Sequence, residues 1–93
     1  MAMRDLGDRI EVTGPMTIAA AAGLLAEGTG LVSRADTVFD LSGVTEVDSS
    51  GLAVVFGWQR AAKRQNKTIR IANLPQSLRS LADVYGVGAL LPV

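Results

Sequence analysis

Apolar and polar residues alternate through Arg9-Ile10-Glu11-Val12-Thr13, the period-two pattern of a half-buried strand. Gly7-Asp8 separates this run from a short segment before it, which predicts an N-terminal hairpin. Gly14-Pro15 reads as its end, with the proline pre-set for the first turn of a helix. That helix covers Met16 to Ala26, is rich in alanine, and is expected to stop near Gly28 and Gly30. Thr37 to Leu41 is a β-branched and aromatic run of the kind buried in a parallel sheet, and Ser42 to Asp48 reads as a loop. Gly51 to Gln65 predicts the second helix, broken at Asn66, and Thr68-Ile69-Arg70-Ile71-Ala72 alternates as a further strand. Asn73-Leu74-Pro75 opens a third helix that keeps Leu78, Leu81, Ala82 and Tyr85 on one face, with Gly86 at its C-terminal cap. Val87 to Val93 is an apolar tail expected to pack back on the body. Strands alternating with helices predict an α/β sandwich over residues 1–93, with a mainly parallel sheet of about four to five strands.

Between the third strand and the second helix lies Asp48-Ser49-Ser50-Gly51-Leu52. Asp or Ser just before an apolar helix is an N-cap signal, because its side-chain oxygen accepts an unpaired N–H of the first turn. Two adjacent hydroxyls at a helix mouth are also a favourable seat for phosphate, facing those N–H groups and the positive end of the dipole. At about 100° per residue, Val54, Val55, Trp58, Ala61 and Ala62 share the core side of this helix. Leu52, Phe56, Gln59, Arg60 and Lys63 fall on the other side. Two readings stand open on periodicity: the first two turns are buried all round, or Ser49, Leu52 and Phe56 form a docking patch rimmed by Arg60 and Lys63.

Composition removes several alternatives. Nine Lys and Arg balance nine Asp and Glu, so the chain as a whole offers no electrostatic case for nucleic acid or an anionic membrane. The cluster Arg60, Lys63, Arg64, Lys67 and Arg70 has no interleaved aromatic for base stacking. There is no Cys and no His, which excludes a thiolate nucleophile, an imidazole base and nitrogen–sulfur metal sites. Ser49 has neither a histidine to activate it nor a G-x-S-x-G elbow, and no phosphate-binding glycine loop is present. No enzyme, no metal and no cofactor are expected. Ile18 to Ala26, the longest apolar run, is too short to span a bilayer, and a soluble protein that stays where it was made is expected. Hydrophobic residues nevertheless make up 48% of the chain and the mean hydropathy is +0.30; a chain this short cannot hide all of that surface, so an apolar patch reserved for a partner is expected.

Phe39-Asp40-Leu41-Ser42-Gly43-Val44-Thr45-Glu46-Val47-Asp48-Ser49-Ser50-Gly51-Leu52 resembles the signature of STAS domains, the group that includes sulfate-transporter tails and anti-sigma-factor antagonists. The segment Asn73-Leu74-Pro75-Gln76-Ser77-Leu78-Arg79-Ser80-Leu81-Ala82-Asp83-Val84-Tyr85-Gly86-Val87, with Leu90-Leu91-Pro92, is similar to the MlaB-like branch. The resemblance implies a STAS-like sandwich and a non-catalytic cytoplasmic subunit, held at the inner membrane of Gram-negative bacteria through a phospholipid-transporting ABC transporter. Its implied partner is the ATPase subunit with its permease, without nucleic acid and without insertion into the membrane. The functional Ser/Thr of the family falls on Ser49. Together with the helix face, the implied docking residues are Asp48, Ser49, Ser50, Gly51, Leu52, Phe56, Arg60 and Lys63. In anti-sigma-factor antagonists the position of Ser49 is phosphorylated by a partner kinase. Ser50, where some MlaB-like sequences have Gly, makes the stretch look equally like such an antagonist, which is the alternative function.

Overall fold

A computed structural model describes residues 3–32 and 35–93; Met1, Ala2, Ser33 and Arg34 lie outside the described residues. Strands β1 (Met3–Asp5), β2 (Ile10–Met16), β3 (Thr37–Val47) and β4 (Ile69–Ala72) form one sheet in that spatial order. β1 is antiparallel to β2, closing the expected hairpin, and β2, β3 and β4 run parallel. Helices α1 (Ile18–Val32), α2 (Ser49–Arg64) and α3 (Gln76–Val84) follow β2, β3 and β4 in turn. The right-handed hand of parallel crossovers explains why they lie side by side in chain order, with α2 touching both α1 and α3.

Register alternation divides the sheet into two faces. Ile10, Phe39 and Ile71 stand in one row against the helices, and all three are buried. The adjoining row, Arg4, Glu11, Asp40 and Ala72, belongs to the other face. Asp40 is the one polar side chain buried among the described residues. Its Oδ2 accepts from Arg9 Nε at 3.2 Å, and its Oδ1 accepts from Asn73 Nδ2 and the Ser42 N–H, each at 3.0 Å. This carboxylate therefore ties the start of β2, the middle of β3 and the exit of β4 together. The Asn73 amide and the Ser42 N–H, helped by Arg9 and opposed by burial, hold its pKa at about 2 instead of 3.8.

The centre of the core is Trp58 on α2. Its ring stacks on Phe39 at 4.0 Å between centroids and 12° between planes, and its Nε1 donates to the Leu24 carbonyl of α1 at 3.0 Å. A fully buried indole with its N–H satisfied combines a large apolar contact with a directional one. Gly28 makes room for it. A Cβ at that position would fall 2.5 Å from Trp58 Cε2 and 2.7 Å from Cδ1, inside van der Waals contact.

Three sequence expectations are corrected here. The first helix does not stop near Gly28 and Gly30 but continues to Val32, because burial of Leu24, Gly28 and Val32 at four-residue spacing outweighs the low helix propensity of glycine. Gly14-Pro15 does not end the strand, since β2 runs through it to Met16. Pro15 is exposed and sits at a register shift between Gly14 and Met16, where a missing N–H costs no ladder bond. Ser42 to Val47 is strand, not loop, because Thr13, Gly14 and Met16 pair with Gly43, Val44 and Val47. The ends of α2 and α3 follow the expectation: Asn66 and Gly86 take left-handed backbone at φ 57° and 71°. Lys67 and Val87 N–H then bond back to the Ala62 and Ala82 carbonyls, as in Schellman caps. The tail also packs back, with Leu91 buried and the Pro92 carbonyl accepting from the Ile71 N–H at 2.7 Å.

Candidate functional site

The site is the edge where β2 and β3 hand over to their helices. Asp48 is the N-cap of α2, with its Oδ1 accepting from the Ser50 N–H at 2.8 Å. Its Oδ2 accepts from the Ile18 N–H, the first residue of α1, at 3.0 Å. Its own N–H donates to the Met16 carbonyl. One carboxylate thus caps two helices and fixes the two mouths against each other. The Ile18 N–H, assisted by the Ser50 N–H and opposed by burial, lowers the Asp48 pKa below its ordinary value. An internal anion therefore already occupies the position that the two serines had suggested for a phosphate, since Asp48 takes the N–H groups of Ile18 and Ser50.

Gly51 sets how closely this mouth approaches the body. A Cβ there would lie 3.3 Å from the Met16 carbonyl and 3.2 Å from Leu78 Cδ1 of α3. The first turn of α2 is thereby wedged between β2 and α3, and Ser49 projects from a rigid ledge. Ser49 is exposed and Ser50 half-buried.

The expected patch forms only in part. Ser49, Arg60 and Lys63 are exposed and Phe56 is half-buried, and all four fall along one line of α2 at helical spacing. Leu52 does not join them: it is 6% exposed and belongs to the core, and Gly51 faces inward too. Burial selects between the two readings of the first turns residue by residue. Ala53, exposed between Ser49 and Phe56, takes the place assigned to Leu52. The four-residue step from Ser49 was the signal for it. Ile18, 75% exposed, joins the ledge from the neighbouring mouth; nothing in the sequence pairs it with Asp48, thirty residues away.

Ser49 has no base beside it in any hydrogen bond of the described residues, and no group of three or more potential metal ligands occurs among them. What the geometry offers is an exposed ledge with the Ser49 hydroxyl, Ala53, Phe56 and cations along α2, and Ile18 beside them at the mouth of α1.

Comparison with known proteins places this arrangement in a family. The Haemophilus influenzae protein named "Intermembrane phospholipid transport system binding protein MlaB" is 35% identical over 49 residues, a match covering 53% of this chain and 47% of that protein. The aligned segment thus spans about half the length of that relative. The solved structure of the anti-sigma factor antagonist SpoIIAA in its unphosphorylated form superposes with a TM-score of 0.66 over 87% of this chain and 79% of that one. At 15% identity that likeness speaks for the fold alone. Residues 2–92 match the family model described as "Mlab, STAS domain". A match through nearly the whole chain, on a fold shared with a known antagonist, makes this chain a member of the MlaB-type STAS domain family.

Proposed function

We propose that this chain is the non-catalytic STAS subunit of a phospholipid-transporting ABC system, and that it docks on the ATPase subunit through the α2 ledge. The observation that carries this reading is Ser49, exposed at the tip of two helices that one carboxylate locks together. A surface fixed before binding loses little conformational freedom on association. The name of the Haemophilus influenzae relative supports the transport system. A standard interface takes about 800 Å² from each partner, roughly a sixth of the 5090 Å² accessible here. As part of such a system the subunit works in the cytoplasm, held at the inner membrane through the transporter. No helix among the described residues is long and apolar enough to cross a membrane itself.

The test is an affinity pull-down from the native host with wild type and Ser49→Glu as baits. Recovery of an ABC ATPase with its permease by wild type, lost with Ser49→Glu, is the expected result. Equal recovery by both would remove Ser49 from the contact. The exposure of the Ser49 hydroxyl keeps a second reading, an anti-sigma-factor antagonist switched by phosphorylation. There the phosphate would place nearly two negative charges beside Asp48 and repel the partner. Recovery of a serine kinase, with phosphate on Ser49, would replace the transporter reading.

A further inference from the structure

The balanced net charge conceals a strong segregation along the chain. Residues 1–48 carry eight of the nine acids and three of the nine Lys and Arg residues, whereas residues 49–93 carry one acid, Asp83, and six cations. Four of those cations gather at one place: Arg60, Lys63 and Arg64 on the last turns of α2, and Lys67 in the turn that follows. Arg60, Lys63 and Arg64 are exposed and Lys67 is half-buried. The ion pairs among the described residues join Arg4 to Glu11 and Arg9 to Asp8 and Asp40, and none engages these four. Asp36 reaches the same turn, yet its Oδ1 accepts from the Thr68 N–H instead of from a cation.

The helix dipole favours Lys63 and Arg64 in the last turn. It does not account for Arg60 a turn earlier or Lys67 beyond the helix. Arg60 and Lys63 continue the line of Ser49, Ala53 and Phe56, so one helix edge changes from uncharged at the mouth, with a hydroxyl, a methyl and a half-buried ring, to cationic at the far end. An apolar stretch bordered by charge matches the anatomy of a protein interface. A membrane surface would call for several large exposed apolar residues along that edge, where α2 has Ala53 and a half-buried Phe56 and the neighbouring mouth adds Ile18 alone, at the end away from the cations. Single-stranded nucleic acid would call for stacked aromatics, which are absent there.

We infer that the cationic end of α2 meets an acidic surface on the ATPase partner and steers its association, while the Ser49 end makes the close contact. This rests on the docking reading above. Complementary charge acts mainly on the encounter rate and on specificity, and salt weakens it.

Association and dissociation kinetics of purified ATPase subunit on immobilised full-length chain, at low and high salt, test the inference. Wild type is compared with the triple variant Arg60→Gln, Lys63→Gln, Arg64→Gln, in which glutamine keeps the helix propensity; circular dichroism and melting confirm that the variant folds. The association rate of wild type should fall roughly tenfold between low and high salt, and the triple variant should show a similar loss already at low salt. Its dissociation rate should change by less than about threefold, whereas Ser49→Glu should act mainly on dissociation. If wild type binds the ATPase but the triple variant binds equally fast at both salts, the inference falls and the docking reading survives. If wild type does not bind the ATPase, both fall. Pelleting of wild type, but not of the triple variant, with phosphatidylglycerol vesicles, while ATPase kinetics stay equal, would reassign the cations to a lipid surface and overturn the inference.

Discussion

Gly28→Ala and Gly23→Ala make the same chemical change on the same helix and should act with opposite sign. In an ordinary helix interior, alanine is better than glycine by about 1 kcal/mol. Gly23 is exposed with open space around its would-be Cβ, so Gly23→Ala should stabilise by about 0.5–1 kcal/mol. At Gly28 the new methyl would lie 2.5 Å from Trp58 Cε2, and the indole has nowhere to go, being fully buried and stacked on Phe39. Overpacking of this kind costs about 1–3 kcal/mol. If the ring tilts to escape, its N–H leaves the Leu24 carbonyl and stays dry, at a further cost of about 1–3 kcal/mol. After the helix gain is set against these, the net loss is about 1–5 kcal/mol. At about 5 °C per kcal/mol for a chain of this size, Tm falls by about 5–25 °C. Urea unfolding and thermal melts of the two variants measure this, and the emission of Trp58, the single tryptophan, reports its environment directly. A Gly28→Ala protein as stable as Gly23→Ala, with unchanged emission, would refute the view that Gly28 is the slot for the indole.

Acid should unfold the protein partly through Asp40. Its folded pKa is about 2 against 3.8, so the stabilisation is complete above about pH 4 and is lost as pH falls towards 2. The loss amounts to about 2 kcal/mol, and urea midpoints from pH 5 to 2 should slope less steeply in Asp40→Asn. Asp48→Asn keeps the shape but leaves one oxygen for two N–H donors, Ile18 and Ser50. It should lower Tm and increase hydrogen exchange at the first turn of α1 as well as α2; loss confined to α2 would contradict the shared cap. Ser49→Ala, on an exposed side chain with no side-chain hydrogen bond among the described residues, should leave stability within about 0.5 kcal/mol of wild type. Any loss of partner capture by that variant would then report the contact itself, and a large drop in Tm would show a folding role instead.

The local code of this chain was legible wherever it depends on a few adjacent residues. Period-two alternation located β2 and β4. The apolar stripe of α2 was read correctly as Val54, Val55, Trp58, Ala61 and Ala62, and Asn66 and Gly86 announced the left-handed caps. The motif from Phe39 to Leu52 by itself points to the STAS family, because it combines strand, cap and helix start in one stretch. Tertiary structure decided what depends on partners distant in sequence. Ser42-Gly43 and Thr45-Glu46 look like a loop until β2 offers them a ladder. Gly28 looks like a helix stop until Trp58 fills the space above it. Leu52 looks available for docking until neighbouring elements bury it, and the second role of Asp48, capping α1, exists only because β2 and β3 end side by side. Periodicity assigns a residue to a helix face; whether that face meets water, a helix or a vacancy for a partner is set by packing between elements, which no short window of sequence contains.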